Sequence, residues 1–578
     1  MKKLIGKIMG ARLWWLYLLL LLGSVNYLAT IIHGRIDLTK EKRYTLSKAT
    51  RELLGKLDEP VQIDVFLKGE FPAGFRKLAN STEEFLQLLK DRNGSKLLYR
   101  FISPQDELPG VAGKTWEDTL LAQGANAINL SVQLKAGEES KRVYPVAMVK
   151  YKDRQTLVNL YSGGRRMISP VEMNSAEAMM EYQFAKALDG LLNNSKPRVG
   201  YLFGNGEPTD ARTYGIQDAL SRDYNLGLID LKKYRHIPVD ATDPGKVDVL
   251  ISVKPRLQFT EDDKFKLDQY LMKGGKLMFF LDNLIAEQDS LRFQTETVAY
   301  DRNLNLTDQL FKYGVRVNTD LVMDLQCDFM PFAVGGNQEN PQYEFLRWNY
   351  YPLFESKGNH TINKNIGLVA GRFVNSLDTI AAQGIRKTAL LQSSSNSRII
   401  STPALISLNE NRNVPQDVRF NKSGIPVAYL LEGRFSSLYR NRLSRAQLDT
   451  LAASGNPFIP AAEQETKIIV AGDGDLVLND FSPKEGPLPL GMNFYTVGSQ
   501  YEYSFANRDF FLNSLEYLVN RPVVIETRNK DVILRLLDTQ KVKEQKSTWQ
   551  FVNIALPLLL VLLAGWFYQQ LRKRKYAA

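Results

Sequence analysis

The chain has 578 residues, 44% hydrophobic and 24% charged, with a formal net charge of +11; that is enough for two to four folded domains and ordinary for globular protein. A single cysteine, Cys327, excludes an internal disulfide, a CxxC redox centre and four-cysteine metal sites, and three histidines far apart in sequence argue against a His-rich metal site. Much of the positive charge sits beside the two most apolar segments, so it reads as membrane orientation rather than nucleic-acid affinity, and no nucleic-acid motif accompanies it.

Residues 1–12 form a short basic N-terminus carrying Lys2, Lys3, Lys7 and Arg12. Residues 13–32, LWWLYLLLLLGSVNYLATII, then run without a charge. At about 1.5 Å per residue this segment reaches roughly 30 Å, the thickness of a bilayer core. A cleaved signal peptide is the alternative, but the apolar run is long for one and no small-x-small cleavage site follows. Residues 549–568, WQFVNIALPLLLVLLAGWFY, form a second run, with Pro557 inside it and a basic tail, 569–578, after it. A buried core helix is the alternative there. Both runs carry Trp and Tyr near their ends, and the flanking Lys and Arg place both termini in the cytoplasm. The expected topology is two spans with one large extracytoplasmic body between them, leaving cytoplasmic ends too short for a catalytic domain.

The body opens with residues 34–192. Ser47 caps a helix over KATRELLGKL, VQIDVFLKG is a strand, NSTEEFLQLLKDRNG a helix with a Ser81–Glu84 capping box and Gly94 at its end, and KLLYRFIS a strand. This is a small α/β unit; residues 125–162 follow as a β-meander and 174–194 as a helix. Residues 196–299 alternate strand and helix: RVGYLF, TYGIQDALSRDY, LGLIDL, VDVLISVKP, the Thr260-capped TEDDKFKLDQYLMKGG, and KLMFFLDN. That alternation predicts a doubly wound parallel sheet. Residues 300–465 read as an insertion or added domain, mixed and β-rich. Residues 466–521 return to the sheet with KIIVAGDGDLVLND and the helix RDFFLNSLEYLV, and 522–548 connect to the second span. The fold class is therefore α/β.

Candidate chemistry gathers at the strand ends. FGNGEPTD lacks the Lys-Ser or Lys-Thr of a phosphate loop and the third glycine of a dinucleotide fingerprint. GDGDLVLND lacks the further ligands and late Glu of a calcium loop. Asn205, Glu207, Asp282, Asp473 and Asp475 remain as candidate ligand-binding residues at the carboxyl edge of one sheet; the same acids equally suit helix capping. An amidotransferase-type sheet puts a nucleophilic Cys on a sharp turn after a strand, but VDVLISV runs into Lys254-Pro255 and Cys327 has no flanking glycine. No catalytic residue, metal or cofactor is assigned.

The order of KEKRYTLSKAT, YLFGNGEPT, VDVLISVKP, GGKLMFFLDN, LLQSSSNS, YLLEGRFSS and VAGDGDLVLND between two apolar runs resembles the GldG family, the gliding-motility-associated ABC transporter component described as substrate-binding. The resemblance covers nearly the whole chain. It implies an amidotransferase-like middle domain without catalytic residues, an ABC permease and a separate cytoplasmic ATPase as partners, envelope or motility proteins as further contacts, and the inner membrane of a Bacteroidota-type bacterium. The expected role is that of a non-enzymatic membrane subunit. A membrane-anchored hydrolase or amidotransferase using the carboxyl-edge acids, and a structural link to envelope machinery, stand as alternatives.

Overall fold

The structure is a computed structural model. It describes residues 14–31, 37, 45–519, 527 and 539–576, apart from 70, 72, 95, 110–112, 126, 135–136, 162–169, 194–195, 222, 240–242, 244, 293, 338–339, 357, 359, 365 and 409–416. The chain separates into two units, Met1–Asp531 and Val532–Ala578.

Helix α1, Trp14–Ile31, is uncharged and carries exposed Leu19 to Leu22. The remaining ends of the first apolar run, Leu13 and Ile32, lie outside the described residues. Helix α2, Lys48–Gly55, is capped by Ser47, whose side chain accepts from the Thr50 N–H. Strand β1, Val61–Val65, helix α3, Ala73–Arg92, and β2, Leu97–Phe101, form a right-sized crossover, with β1 and β2 parallel. Helix α3 starts eight residues before the proposed Ser81 cap. Ser81 is in mid-helix and its hydroxyl donates to Glu177, because Phe75 and Leu78, upstream of it, already pack in the core and carry the apolar stripe that continues to Leu86. After α4, Trp116–Ala122, come β3, Ile128–Leu134, and β4, Gly137–Val143, then β5, Val146–Tyr151, and β6, Arg154–Asn159. The expected meander divides: β3 pairs only with β4, while β5 and β6 join the sheet β2-β1-β5-β6. Helix α5, Pro170–Leu192, packs on α2 and α3 and closes this core.

The second body begins at β7, Arg198–Leu202, followed by α6, Tyr214–Ser221, β8, Asn225–Ile229, β9, Val249–Val253, α7, Glu261–Met272, and β10, Lys276–Phe280. Thr260 caps α7 through a reciprocal capping box with Asp263. Next come β11, Leu284–Ile285, β12, Glu296–Asp301, α8, Thr307–Tyr313, β13, Val315–Val317, β14, Asp320–Asp324, β15, Cys327–Gly336, β16, Pro341–Ser356, β17, Val369–Ala370, β18, Leu377–Thr379, β19, Ile385–Gln392, β20, Ser397–Ser401, β21, Ala404–Ser407, β22, Pro426–Gly433, and α9, Arg445–Ala453. The chain returns through β23, Thr466–Ala471, and α10, Asn507–Val519.

One sheet unites these strands in the order β15-β16-β19-β22-β23-β10-β9-β7-β8, with β17 paired to β16. Its parallel part follows the chain sequence 2-1-3-4-5 across β8-β7-β9-β10-β23, the doubly wound pattern with a reversal between β7 and β9. Strands β9, β10 and β23 are mostly apolar, with nearly every residue buried, because both faces are covered. Residues 300–465 do not stand apart from this sheet. Strand β22 pairs antiparallel with β23, Leu430 opposite Ile469, and β19 and β16 extend the same ladder. Phe510, Phe511, Leu515 and Leu518 of α10 are fully buried in a core that includes Val253 and Phe280; each side chain contributes about 1.5–3 kcal/mol by leaving water.

In the second unit, α11, Thr539–Tyr576, runs unbroken through Pro557. Its segment Gln545–Arg574 is, among the described residues, the one helix long and apolar enough to cross a membrane.

Candidate functional site

The reversal between β7 and β9 is where a sheet of this order leaves a crevice outside its strand ends. Here the crevice is zipped shut. The Arg256 and Leu257 N–H groups, just past β9, both donate to the Asn205 carbonyl at 2.8 Å, in the loop after β7. Gly206 permits this approach: it sits at φ +81°, and a Cβ there would lie 2.9 Å from the Arg256 Cβ. Glu207 folds inward, 6% exposed, accepting the Asn205 N–H at 2.9 Å and the Ser252 hydroxyl at 3.2 Å. Burial pushes its carboxyl above the usual range, with the hydrogen bonds pulling the other way. The side-chain nitrogen of Asn205, Nδ2, is buried without a hydrogen-bond partner among the described residues.

At the end of β9 stands Lys254, at φ +48°, a left-handed conformation that a non-glycine residue adopts under strain. Its side chain is 4% exposed. Its ammonium lies 2.7 Å from Asp475, 3.0 Å from Asp282 and 3.5 Å from Glu287. Burial pulls the amine down, but the three carboxylates together hold it above the ordinary lysine range, so it stays charged. Gly474 makes the approach possible, since a Cβ there would sit 2.5 Å from the Lys254 Cβ.

The acids around this cation differ. Asp282 also accepts the Gly474 N–H at 2.6 Å; burial raises its carboxyl despite Lys254, with Asp475 adding to the rise. Glu287 is also raised by burial, but Lys254, Arg256 and Arg302 overcome that and hold it below the usual range. Asp473, completely buried, accepts among the described residues only backbone N–H groups, from Asp475 and Arg372 at 2.7 Å each; burial, then Asp475 and Asp282, push it well up.

Residues between β16 and β19 roof this edge. The Arg372 guanidinium grips Asp480 through two 2.6 Å bonds and lies over the Tyr351 ring. Asn375 donates its N–H to the Gly472 carbonyl at 2.7 Å and accepts the Asn283 N–H at 2.7 Å.

The five sequence-derived candidates thus fall into two adjoining groups: Asp282, Asp473 and Asp475 beside Lys254, and Asn205 with Glu207 at the zipped crevice. Lys254, Glu287, Arg302 and Arg372 complete the network and were missed, together with Asp480, which GDGDLVLND offers but the candidate set left out. Lys254 had a signal, a charged residue closing a buried, largely apolar strand before Pro255; Glu287, Arg302 and Arg372 come from irregular segments with none.

Chemically, a lysine nucleophile needs a free amine, and Lys254 is an ammonium saturated by carboxylates. The Ser252–Glu207 contact lacks an imidazole among the described residues, and Ser252 is 1% exposed within β9. Cys327 is buried and its thiol is pushed up by that burial, away from thiolate reactivity. Among the described residues no group of three or more His, Cys, Asp and Glu is disposed to hold a metal ion.

A family model described as an ABC-type uncharacterized transport system matches residues 196–514, over half of the chain. The chain belongs to that family. A domain of unknown function, DUF7088, matches residues 40–150 ahead of it. An uncharacterized protein of Borreliella burgdorferi is 22% identical over 495 residues, covering 82% of this chain and 83% of its own. Among solved structures, the mmIFT52 N-terminal domain matches at 14% identity and a TM-score of 0.28, over 56% of this chain and 97% of that one. Exo-beta-1,4-mannosidase Op5Man5 from Opitutaceae bacterium strain TAV5 matches at 9% identity and a TM-score of 0.17, over 74% and 51%. Both superpositions are too loose to carry an argument. Membership of the family makes the chain a transporter-associated component, and the apolar C-terminal helix agrees with membrane association.

Proposed function

We propose that the protein is a non-enzymatic, membrane-anchored subunit that works with an ABC permease and a separate cytoplasmic ATPase, its large body lying outside the cytoplasmic membrane and serving as the interaction component. The observation that carries this reading is Lys254. At the strand end where a hydrolase of this sheet type needs an exposed nucleophile, the chain places a buried ammonium held by three carboxylates. In this reading Asn205, Glu207, Asp282, Asp473 and Asp475 hold the strand ends and the covering segment together.

The anchors are α1, within residues 13–32, and α11. The 38 residues of α11 extend about 57 Å as a helix, so its N-terminal turns continue beyond a bilayer core of about 30 Å. Basic residues on the terminal side of each anchor orient both ends toward the cytoplasm. Coupling to the ATPase then passes through the anchors and the permease. A link to gliding motility belongs to the same proposal and rests on the ordered motifs alone.

The test is co-purification in mild detergent of the tagged protein with the permease expressed beside it. Stable association that survives Lys254→Arg and is lost when α11 is replaced by an unrelated span supports the reading. Failure of the intact protein to associate overturns it.

A further inference from the structure

A groove of about 760 Å³ opens where β13, β14, β18 and β20 meet the start of β22. That volume is in the range of small-molecule sites. None of its lining residues is aromatic, and hydroxyl, amide and charged groups dominate. An apolar ligand finds little to bury there, and a neutral sugar finds no ring to stack on.

The charged groups are arranged unequally. Arg316 is oriented by a relay: its Nε donates to the Asn318 Oδ1 at 2.7 Å, while the Asn318 amide donates to the Ser376 hydroxyl at 2.9 Å and to Asp378 at 3.0 Å. Ser376 in turn donates its N–H and hydroxyl to Asp320 at 2.8 and 2.6 Å. Both acids of the groove thus accept hydrogen bonds from neutral neighbours in the same lining. The terminal nitrogens of Arg316 have no partner among the described residues, and a guanidinium held by its Nε presents the planar fork that matches a carboxylate or phosphate. On the same lining, the backbone of Lys422 is clamped to Ser397 by hydrogen bonds of 2.9 and 3.0 Å; its ammonium makes no ion pair among the described residues, though its charge favours the ionised form of Asp320. The hydroxyls of Ser401 and Ser423 are exposed on the same lining.

We propose that this groove binds a small, hydroxyl-bearing organic anion of the size of one or two sugar rings, with Arg316 and Lys422 pairing its carboxylate or phosphate and Ser401 and Ser423 meeting its hydroxyls. The groove shares no lining residue with the Lys254 cluster, and the Asn375 side chain, which donates to the Asp320 carbonyl at 2.6 Å, joins the two regions.

Calorimetric titration of the full-length protein in detergent tests this with three probes: glucose 6-phosphate, glucuronate and glucose. At least one anionic probe binds with Kd below about 1 mM, and glucose does not bind in that range; which anion is preferred tells phosphate from carboxylate recognition. Arg316→Ala and Lys422→Ala each weaken binding about 10-fold or more, and raised salt weakens it further. Arg316→Lys, which keeps the charge and loses the fork, falls between, and thermal midpoints of all variants match the parent. Failure of both anions to bind, equal binding of glucose, or unchanged binding in the folded double variant overturns the proposal.

Discussion

The strand ends of the parallel sheet and the groove beside β13 use the same side chains to opposite ends. At the strand ends Lys254 is 4% exposed and meets three carboxylates, and Arg372 grips Asp480 with both terminal nitrogens. In the groove, among the described residues, the Arg316 guanidinium is hydrogen-bonded through its Nε alone and the Lys422 ammonium makes no ion pair, only a longer-range interaction with Asp320. A buried charge must be compensated from within, so its partners are used up in holding the fold. A charge on a rim keeps its hydration and stays available to a ligand. The position of a charge, more than its identity, separates structure from recognition here.

That contrast can be broken most directly at Lys254. Lys254→Met should leave Asp282, Asp475 and Glu287 without their shared cation and cost about 3–5 kcal/mol, read as a lowered urea midpoint of the body. Loss of less than about 1 kcal/mol would mean that the cluster is solvated and the contrast false. Gly474→Ala should cost about 1–3 kcal/mol by driving a Cβ into Lys254. Helix α7 supplies a smaller reference effect: Thr260→Ala should cost about 1 kcal/mol through its lost cap. On the other side, Arg316→Ala and Lys422→Ala should stay within about 0.5 kcal/mol of the parent.

Asp473 sharpens the comparison through pH. Its folded carboxyl is raised by burial, so it keeps its proton where the unfolded chain has released one. Its contribution is whole below the unfolded pKa of ordinary aspartate and is lost as pH rises through the folded value. Asp473→Asn should therefore flatten the fall in stability as pH rises above the ordinary aspartate range, measured by urea unfolding at each pH. An unchanged slope would show that Asp473 is ionised in the fold.

Much of the architecture is legible locally. The Ser47 and Thr260 caps, the apolar strands at 249–253 and 276–280 and the helix at 507–519 follow from periodicity and end signals that neighbouring residues carry. The Ser81 box misled because a capping pattern is only a local preference, overridden when an apolar stripe extends the helix upstream. The acids at 282, 473 and 475 were visible as strand-end residues, but their cation was not: Lys254 is 28 residues from Asp282 and 221 from Asp475, and only the parallel order β9-β10-β23 sets them side by side.

From its sequence alone, this protein's apolar runs, basic flanks and alternating strands and helices were determined, because hydrophobic periodicity and end charge act over a few residues. Tertiary structure alone decided that β22, β19 and β16 continue the sheet from β23, that the crevice between β7 and β9 is zipped by Asn205, and that Arg316 and Lys422 share a groove. These depend on pairing between distant segments, where register and burial choose among partners that no single stretch of chain can specify.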